Sequence, residues 1–197
     1  DLWSDGANFR LGHWLNGRAA SQALPDVVTE ICQQSGWTPN VAAISGVVRG
    51  YAVADVSTAR AALQPLGLAY GFDPHEYDGD IGFAKRDARA RRELVRGGLA
   101  ETTSLPSGAE RSRGPAAERS DRFLVSYLED QSNFGASVAE AGRASDAAAT
   151  VAQGELGLLL LPGEAKMIAE RWLTESRVGR DGLRLALPPS QADLVPG

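Results

Sequence analysis

The sequence predicts an α+β protein built from two sheet-with-helix halves, and three observations lead there. Residues 47–86 run strand, helix and hairpin without a gap. Residues 121–187 repeat the plan as strands, helix and strand. Between them, residues 87–120 are rich in Arg, Gly, Ser and Pro, the composition of a linker or long exposed loop. A helix with one apolar stripe cannot bury it alone, so each helix is expected to lie on the strands before and after it.

The chain opens with Gly, Asn, Ser and Asp at loop frequency over residues 1–12, with Trp3 and Phe9 as anchors. Leu11 to Leu15 reads as a short strand closed by the Asn16-Gly17 turn. Leu24-Pro-Asp-Val-Val-Thr-Glu-Ile-Cys opens a helix over residues 24–35. Pro25 suits its first turn, Asp26 and Glu30 its positive end, and Gly36 its stop. Val27, Val28, Ile31 and Cys32 form its buried face.

Val47 to Ala54 has the β-branched and aromatic content of a strand. Ser57 or Thr58 caps a helix over residues 57–70, whose apolar positions Ala61, Ala62, Leu66 and Ala69 recur at helical spacing and which ends near Gly71. Pro65 removes a backbone donor inside it, so a break or kink is expected between Leu63 and Leu66. A hairpin over residues 75–84 follows, turning at Asp78-Gly79-Asp80, where Asp-Gly favours a type I′ turn.

In the second half, Phe123, Val125 and Tyr127 alternate with Leu124, Ser126 and Leu128, as in a strand buried on both faces. A second strand is expected over residues 137–144 and a long one over residues 151–161. In the long strand Leu156, Leu158 and Leu160 share a face while Leu159 and Leu161 point the other way. Pro162-Gly163-Glu164 opens a helix over residues 163–176, with Ala165, Ile168, Ala169, Trp172 and Leu173 on its apolar side. Glu164, Lys166, Glu170, Arg171 and Glu175 lie mostly elsewhere. A last strand spans residues 183–187.

With 197 residues, 43% hydrophobic and 23% charged, the chain can hold one large or two small domains, each able to bury a core. No apolar run approaches the roughly 20 residues of a membrane span. The chain has no initiator Met and ends on Val195-Pro196-Gly197, so it reads as an excised segment, without a basic-then-apolar leader. Cys32 is the single cysteine and excludes an internal disulfide; its place on a helical apolar face reads as a buried structural thiol rather than a nucleophile. The net charge is −5, yet 10 of the 20 basic residues fall between Lys85 and Arg122, leaving the remainder more acidic than the total suggests.

The residues offer little catalytic chemistry. No Gly-x-Ser-x-Gly motif is present, and His13 and His75 are too few for most triads or metal clusters, so His13-Trp14 reads as a half-buried strand pair. Asp73, Glu76, Asp78 and Asp80 form an acidic group on a hairpin tip, where turn geometry and solubility account for it better than a paired-carboxylate site. Gly46-x-x-x-Gly50 lacks the Lys-Ser/Thr of a phosphate loop. Arg89, Arg91, Arg92, Arg96, Arg111 and Arg113 make the one candidate nucleic-acid surface. Without interleaved aromatics, and diluted by Glu93, Glu101 and Glu110, they read instead as solvated charge or contacts to a protein partner.

Trp14, Asn16, Gly17 and Arg18, the helix from Leu24, and above all Arg49, Gly50 and Tyr51 with Ser57-Thr-Ala-Arg-Ala-Ala-Leu-Gln-Pro-Leu66 resemble the hub domain of tailed-phage baseplate proteins. The resemblance is to the hub and tail-tip proteins of gene transfer agents in particular, which are phage-like particles that package cellular DNA. It is strongest over Arg10 to Arg86 and continues more weakly through the Trp172 helix and the Leu183 strand. In that family such segments sit in a longer chain beside a glycoside-hydrolase-like barrel domain, which this sequence lacks.

What the resemblance implies is a structural virion protein, made in the bacterial cytoplasm and built into the tail baseplate. It implies a homotrimer whose copies each supply two tail-tube-like β-barrel or sandwich modules, residues 1–86 and 121–197. The ring would join the tail tube to the tip, contact the neighbouring tube, distal tail and tip proteins, and let DNA pass through its axis without specific binding. It carries no catalytic, metal or cofactor role. A lumen through which DNA slides should be neutral or acidic, because phosphate affinity comes chiefly from Lys and Arg. The acidic excess is therefore expected to face the lumen, and the Arg-rich loop to face other proteins. The alternatives are a peptidoglycan hydrolase module of a tail tip and a nucleic-acid-binding module.

Overall fold

The computed structural model describes residues 21–52, 58–77, 79–86, 92–115, 120–130, 135–142, 150–192 and 194. Strand β1 (Gln22–Ala23) leads into helix α1 (Leu24–Gln34) and pairs antiparallel with β2 (Val47–Val48). Pro25 stands in the first turn of α1 and Asp26 beside it, as the sequence predicts. The expected strand over residues 47–54 is shorter in the structure: Val47 and Val48 pair with β1, and Tyr51 then bridges to Leu158 in the second half. Residues 53–57 lie outside the described set.

Helix α2 (Ala59–Tyr70) is capped by Thr58, whose hydroxyl accepts from the Ala61 amide at 3.3 Å, and closes on Gly71 in the left-handed conformation at φ +72°. Pro65 does not break it: α2 runs continuously through that position. Proline leaves one carbonyl a turn earlier without its helical donor, and that carbonyl belongs to the exposed Ala61, where water can replace it. Strands β3 (Phe72–Tyr77) and β4 (Asp80–Lys85) form the hairpin, in register from Phe72 opposite Lys85 to Tyr77 opposite Asp80, longer than the predicted 75–84. Gly79 takes φ +83°, as a type I′ turn requires.

The segment expected as a linker carries structure. It holds a 3₁₀ turn (Arg96–Gly98) and strand β5 (Ala109–Arg113), which pairs antiparallel with β9 (Asp181–Leu185) from the far end of the chain. That partner also moves the last strand from the predicted 183–187 to 181–185, because register follows hydrogen-bonded pairing rather than leucine spacing.

A mixed three-stranded sheet occupies the second half, ordered β7 (Ala136–Gly142), β6 (Arg122–Glu129), β8 (Val151–Leu160), with β7 antiparallel and β8 parallel to the central β6. The backbone of residues 50–52 extends its far edge, since the Leu159 amide donates to Gly50 at 2.9 Å and the Ala52 amide to Gly157 at 2.7 Å. Helix α3 (Pro162–Val178) lies on β6 and β7 and covers one face, burying Val125, Tyr127, Ala139 and Ala141. On the opposite face Leu124, Ser126 and Leu128 are half-buried, so the expectation of a strand buried on both sides does not hold. Among the described residues of the second half, one α-helix covers the sheet.

One hydrophobic core joins both halves. Leu24, Val28 and Ile31 of α1, Leu66 of α2, Phe72 and Phe83 of the hairpin, Val125, Leu156 and Leu158 of the sheet and Trp172 of α3 belong to a single cluster. Phe72 and Phe83 meet edge to face at 5.6 Å. Among the described residues no sheet closes into a barrel.

Candidate functional site

Of the residues singled out by resemblance, Arg49, Gly50 and Tyr51 lie at the seam between the two halves. Arg49 reaches the first turn of α3, where its guanidinium donates to the Glu164 carboxylate at 3.2 to 3.4 Å. That hydrogen bonding, with the carboxylate charge behind it, holds the Arg49 guanidinium above its ordinary pKa. Glu164 also accepts from the Leu161 amide at 2.9 Å, satisfying an orphan donor at the helix start. Both side chains are about one-third exposed (33% and 34%), so the pair orients more than it stabilises.

Gly50 and Tyr51 both bond to main-chain partners, Gly50 through its carbonyl and Tyr51 through its hydroxyl. Gly50 supplies the carbonyl that ties Leu159 to the first half, and the Tyr51 hydroxyl donates to the Ala62 carbonyl of α2. Burial pushes the Tyr51 phenol up to about 12. Tyr70, which donates to the Val47 carbonyl at 2.8 Å, is also pushed up to about 12, by burial first and the Glu164 charge second. Gly157 admits the close approach of residues 50–52: a Cβ there would stand 2.4 Å from the Ala52 carbonyl oxygen.

A second set of contacts, absent from the sequence-derived residues, closes the C-terminal end of α2. Arg171 donates to the carbonyls of Leu68 and Ala69, and the Trp172 indole donates to Leu68 at 3.0 Å. Arg86 donates to Gly67 at 2.9 Å and pairs with Asp73 at 3.1 Å and Glu175 at 3.0 Å. Two guanidinium groups thus meet the negative end of the helix dipole from opposite halves of the chain, Arg171 on the free Leu68 and Ala69 carbonyls and Arg86 on the Gly67 carbonyl that the Gly71 amide also bonds. Burial lowers the Arg171 pKa, Glu175 opposes that, and Arg86 adds to it. Helical periodicity placed Arg171 and Glu175 away from the apolar side; their signal was the adjacency to Trp172, which cannot enter the core without carrying Arg171 to its rim.

The remaining predicted positions fare differently. Trp14, Asn16, Gly17, Arg18, Arg89 and Arg91 lie outside the described residues. Arg92 precedes the 3₁₀ turn and Arg96 opens it. Arg111 and Arg113 project from β5 and share Asp181 of β9, at 3.3 and 3.6 Å. Arg96, Arg111 and Arg113 therefore sit on two different local structures rather than one loop.

Among the described residues no group of three or more His, Cys, Asp or Glu is placed to hold a metal ion. Burial pushes the Cys32 thiol up, which disfavours the reactive thiolate. Asp73, Glu76 and Asp80 are exposed along the hairpin, with Asp73 paired to Arg86. No described helix is long and apolar enough to cross a membrane.

The fold is shared with phage tail proteins. A 43 kDa tail protein of prophage MuSo2 from Shewanella oneidensis superposes over 93% of this chain with a TM-score of 0.50 at 12% identity. A tail protein from Neisseria meningitidis MC58 does so over 91% with a TM-score of 0.54 at 13% identity. Residues 58–197 match the family described as putative phage tail protein, and the chain belongs to that family. A chain in the virion of a native gene transfer agent particle is 42% identical across 98% of this chain, with a TM-score of 0.84. This chain spans 44%, 53% and 54% of the gene transfer agent, Shewanella and Neisseria chains. No curated protein matches it. The family match begins at residue 58, so it rests mainly on the part of the chain where the sequence resemblance is weaker.

Proposed function

We propose that this chain is a structural component of a phage-like tail, the hub segment of a gene transfer agent baseplate. Three copies form a ring between tail tube and tip, around the channel through which DNA leaves. The observation that carries this reading is the likeness to a chain of the gene transfer agent virion, 42% identical over 98% of the present sequence. The seam supports a passive, load-transmitting body: Arg49, Tyr51, Arg86, Arg171 and Trp172 are all occupied in tying one half to the other. In this reading the two halves stand in for two tube-like β modules, so that three chains present six to the tube above.

The net charge of −5 suits a channel that must not hold phosphates. The exposed acids Glu76 and Asp80 of the hairpin are assigned to the lumen, and the arginines of residues 87–120 to neighbouring proteins. An antibody fragment bound to an epitope inserted in this chain, imaged on intact particles, tests the reading. Three labels at the baseplate are expected. Labels along the tube or on the head, or release of sugars or peptides from peptidoglycan by the purified chain, would overturn it.

A further inference from the structure

The β5–β9 ribbon is an arm without a shelter of its own. Every residue of both strands is exposed except the half-buried Ala109 and Leu185 at one end. Two strands alone are at best marginally stable in water, so a ribbon open on both faces needs a surface to lie on. The arm is tethered by main-chain bonds to its own flanks, Ala100 to Ala186 at 2.9 Å and Gly114 to Arg180 at 2.8 Å. Leu105 is buried there, apart from the main core cluster.

Register sorts the two faces of the arm. Arg111 lies opposite Leu183 and Arg113 opposite Asp181, so Leu183, 65% exposed, stands on one face beside two guanidinium groups and the Asp181 carboxylate they share. Glu110, Ser112, Gly182 and Arg184 occupy the other. Residues 92–115 and 179–192 together hold six basic and four acidic side chains, a net of +2, which leaves −7 on the remainder of the chain.

The uncovered face of the three-stranded sheet has the complementary character. Val138 is 62% and Val151 44% exposed, and Leu124 and Ser126 are half-buried between them. Glu155 and Gln153 of β8 are exposed on the same face, and Glu155 makes no ion pair among the described residues. The sheet face, with Arg122 paired to Glu140 and Glu155 left over, carries a net −1 beside Val138, Leu124 and Val151, and the arm face, with Arg111 and Arg113 sharing Asp181, carries a net +1 around Leu183.

We infer that the arm of one copy lies across the open sheet face of the next, with Leu183 on Val138 and Leu124 and the Arg111 and Arg113 side chains toward Glu155. Two different patches meeting head to tail make a heterologous contact, the kind that closes into a ring when the rotation between copies allows. The partner is therefore a second copy of this chain, and the inference rests on the ring reading above.

The test places a photo-crosslinking amino acid at Leu183 in particles that also carry the baseplate label, assembled from a mixture of isotopically light and heavy chains. Mixed light–heavy adducts joining Leu183 to peptides of β6 to β8 are expected. Glu155→Arg should lower their yield about threefold or more, as should high salt. Adducts confined to other tail proteins, adducts within one copy only, or none at all would overturn the arm contact. The label would meanwhile still report the ring, so the two proposals fail separately.

Discussion

The indole of Trp172 lies directly over Gly154, with a ring carbon 2.5 Å from where a Cβ on that glycine would stand. Phe123 meets the same indole edge to face at 6.4 Å, so Trp172 is wedged between β6, β8 and the end of α2, where its ring nitrogen donates to Leu68. The sheet of the second half and the helix of the first are held by one side chain.

Gly154→Ala should therefore destabilise the protein by about 1–3 kcal/mol, the usual cost of forcing an extra methyl into a filled core. Gly163→Ala, in the first turn of α3 with nothing within 4 Å, is the control and should cost nothing. Urea denaturation midpoints of the two variants check the contrast.

Arg171→Met keeps much of the side-chain bulk but removes the donors to Leu68 and Ala69. With Ala69 buried, its orphaned carbonyl should cost roughly 1–3 kcal/mol, while the Leu68 carbonyl keeps the Trp172 indole as its donor. Because Arg86 and Arg171 both face Glu175, at 3.0 and 3.7 Å, an Arg86→Met, Arg171→Met double-mutant cycle should show a coupling of at least about 0.5 kcal/mol. Additive losses would mean that the two arginines brace α2 independently.

Tyr51 and Tyr70 are both pushed up to about 12 by burial, above the ordinary value of 10. The folded state thus keeps two phenolic protons that the unfolded chain releases earlier. Stability from this source is fully present below pH 10 and is lost as the pH rises from about 10 through about 12. Tyrosinate absorbance of the native protein should lag that of the unfolded chain over this window, and Tyr51→Phe should flatten the alkaline fall in stability.

Pro65→Ala restores a helical donor to the Ala61 carbonyl without changing the path of α2. The melting temperature should rise, because proline in a helix interior costs up to about 3 kcal/mol relative to alanine. A fall would mean that the half-buried ring makes packing contacts worth more than the missing hydrogen bond.

Features decided within a few residues were legible before the structure. Thr58 and Gly71 bound α2, Pro25 and Asp26 open α1, and Gly79 turns the hairpin, because capping and turn chemistry act locally. What failed was decided far along the chain. Arg111 pairs opposite Leu183, 72 positions away, and nothing in Arg-Ser-Arg marks a strand until that partner is known. The motif residues Arg49, Gly50 and Tyr51 were picked out by resemblance alone. Their work is visible only once Leu158, Leu159 and Glu164 lie beside them. Pro65 shows the opposite limit: of the break or kink that the local rule predicts, the break is absent, because Leu66 and Ala62 on either side of it pack into the core.

The stitching of residues 50–52 to β8 also bears on how the chain comes into being. A polypeptide leaving the ribosome offers α1, α2 and the hairpin first, yet their apolar faces close against Leu156, Leu158 and Trp172, more than 80 positions downstream of Phe72. Long-range pairing of this kind slows folding, and the early segment waits with its leucines uncovered. The first half therefore closes its core only once the segment carrying Leu156, Leu158 and Trp172 is free to pack against it.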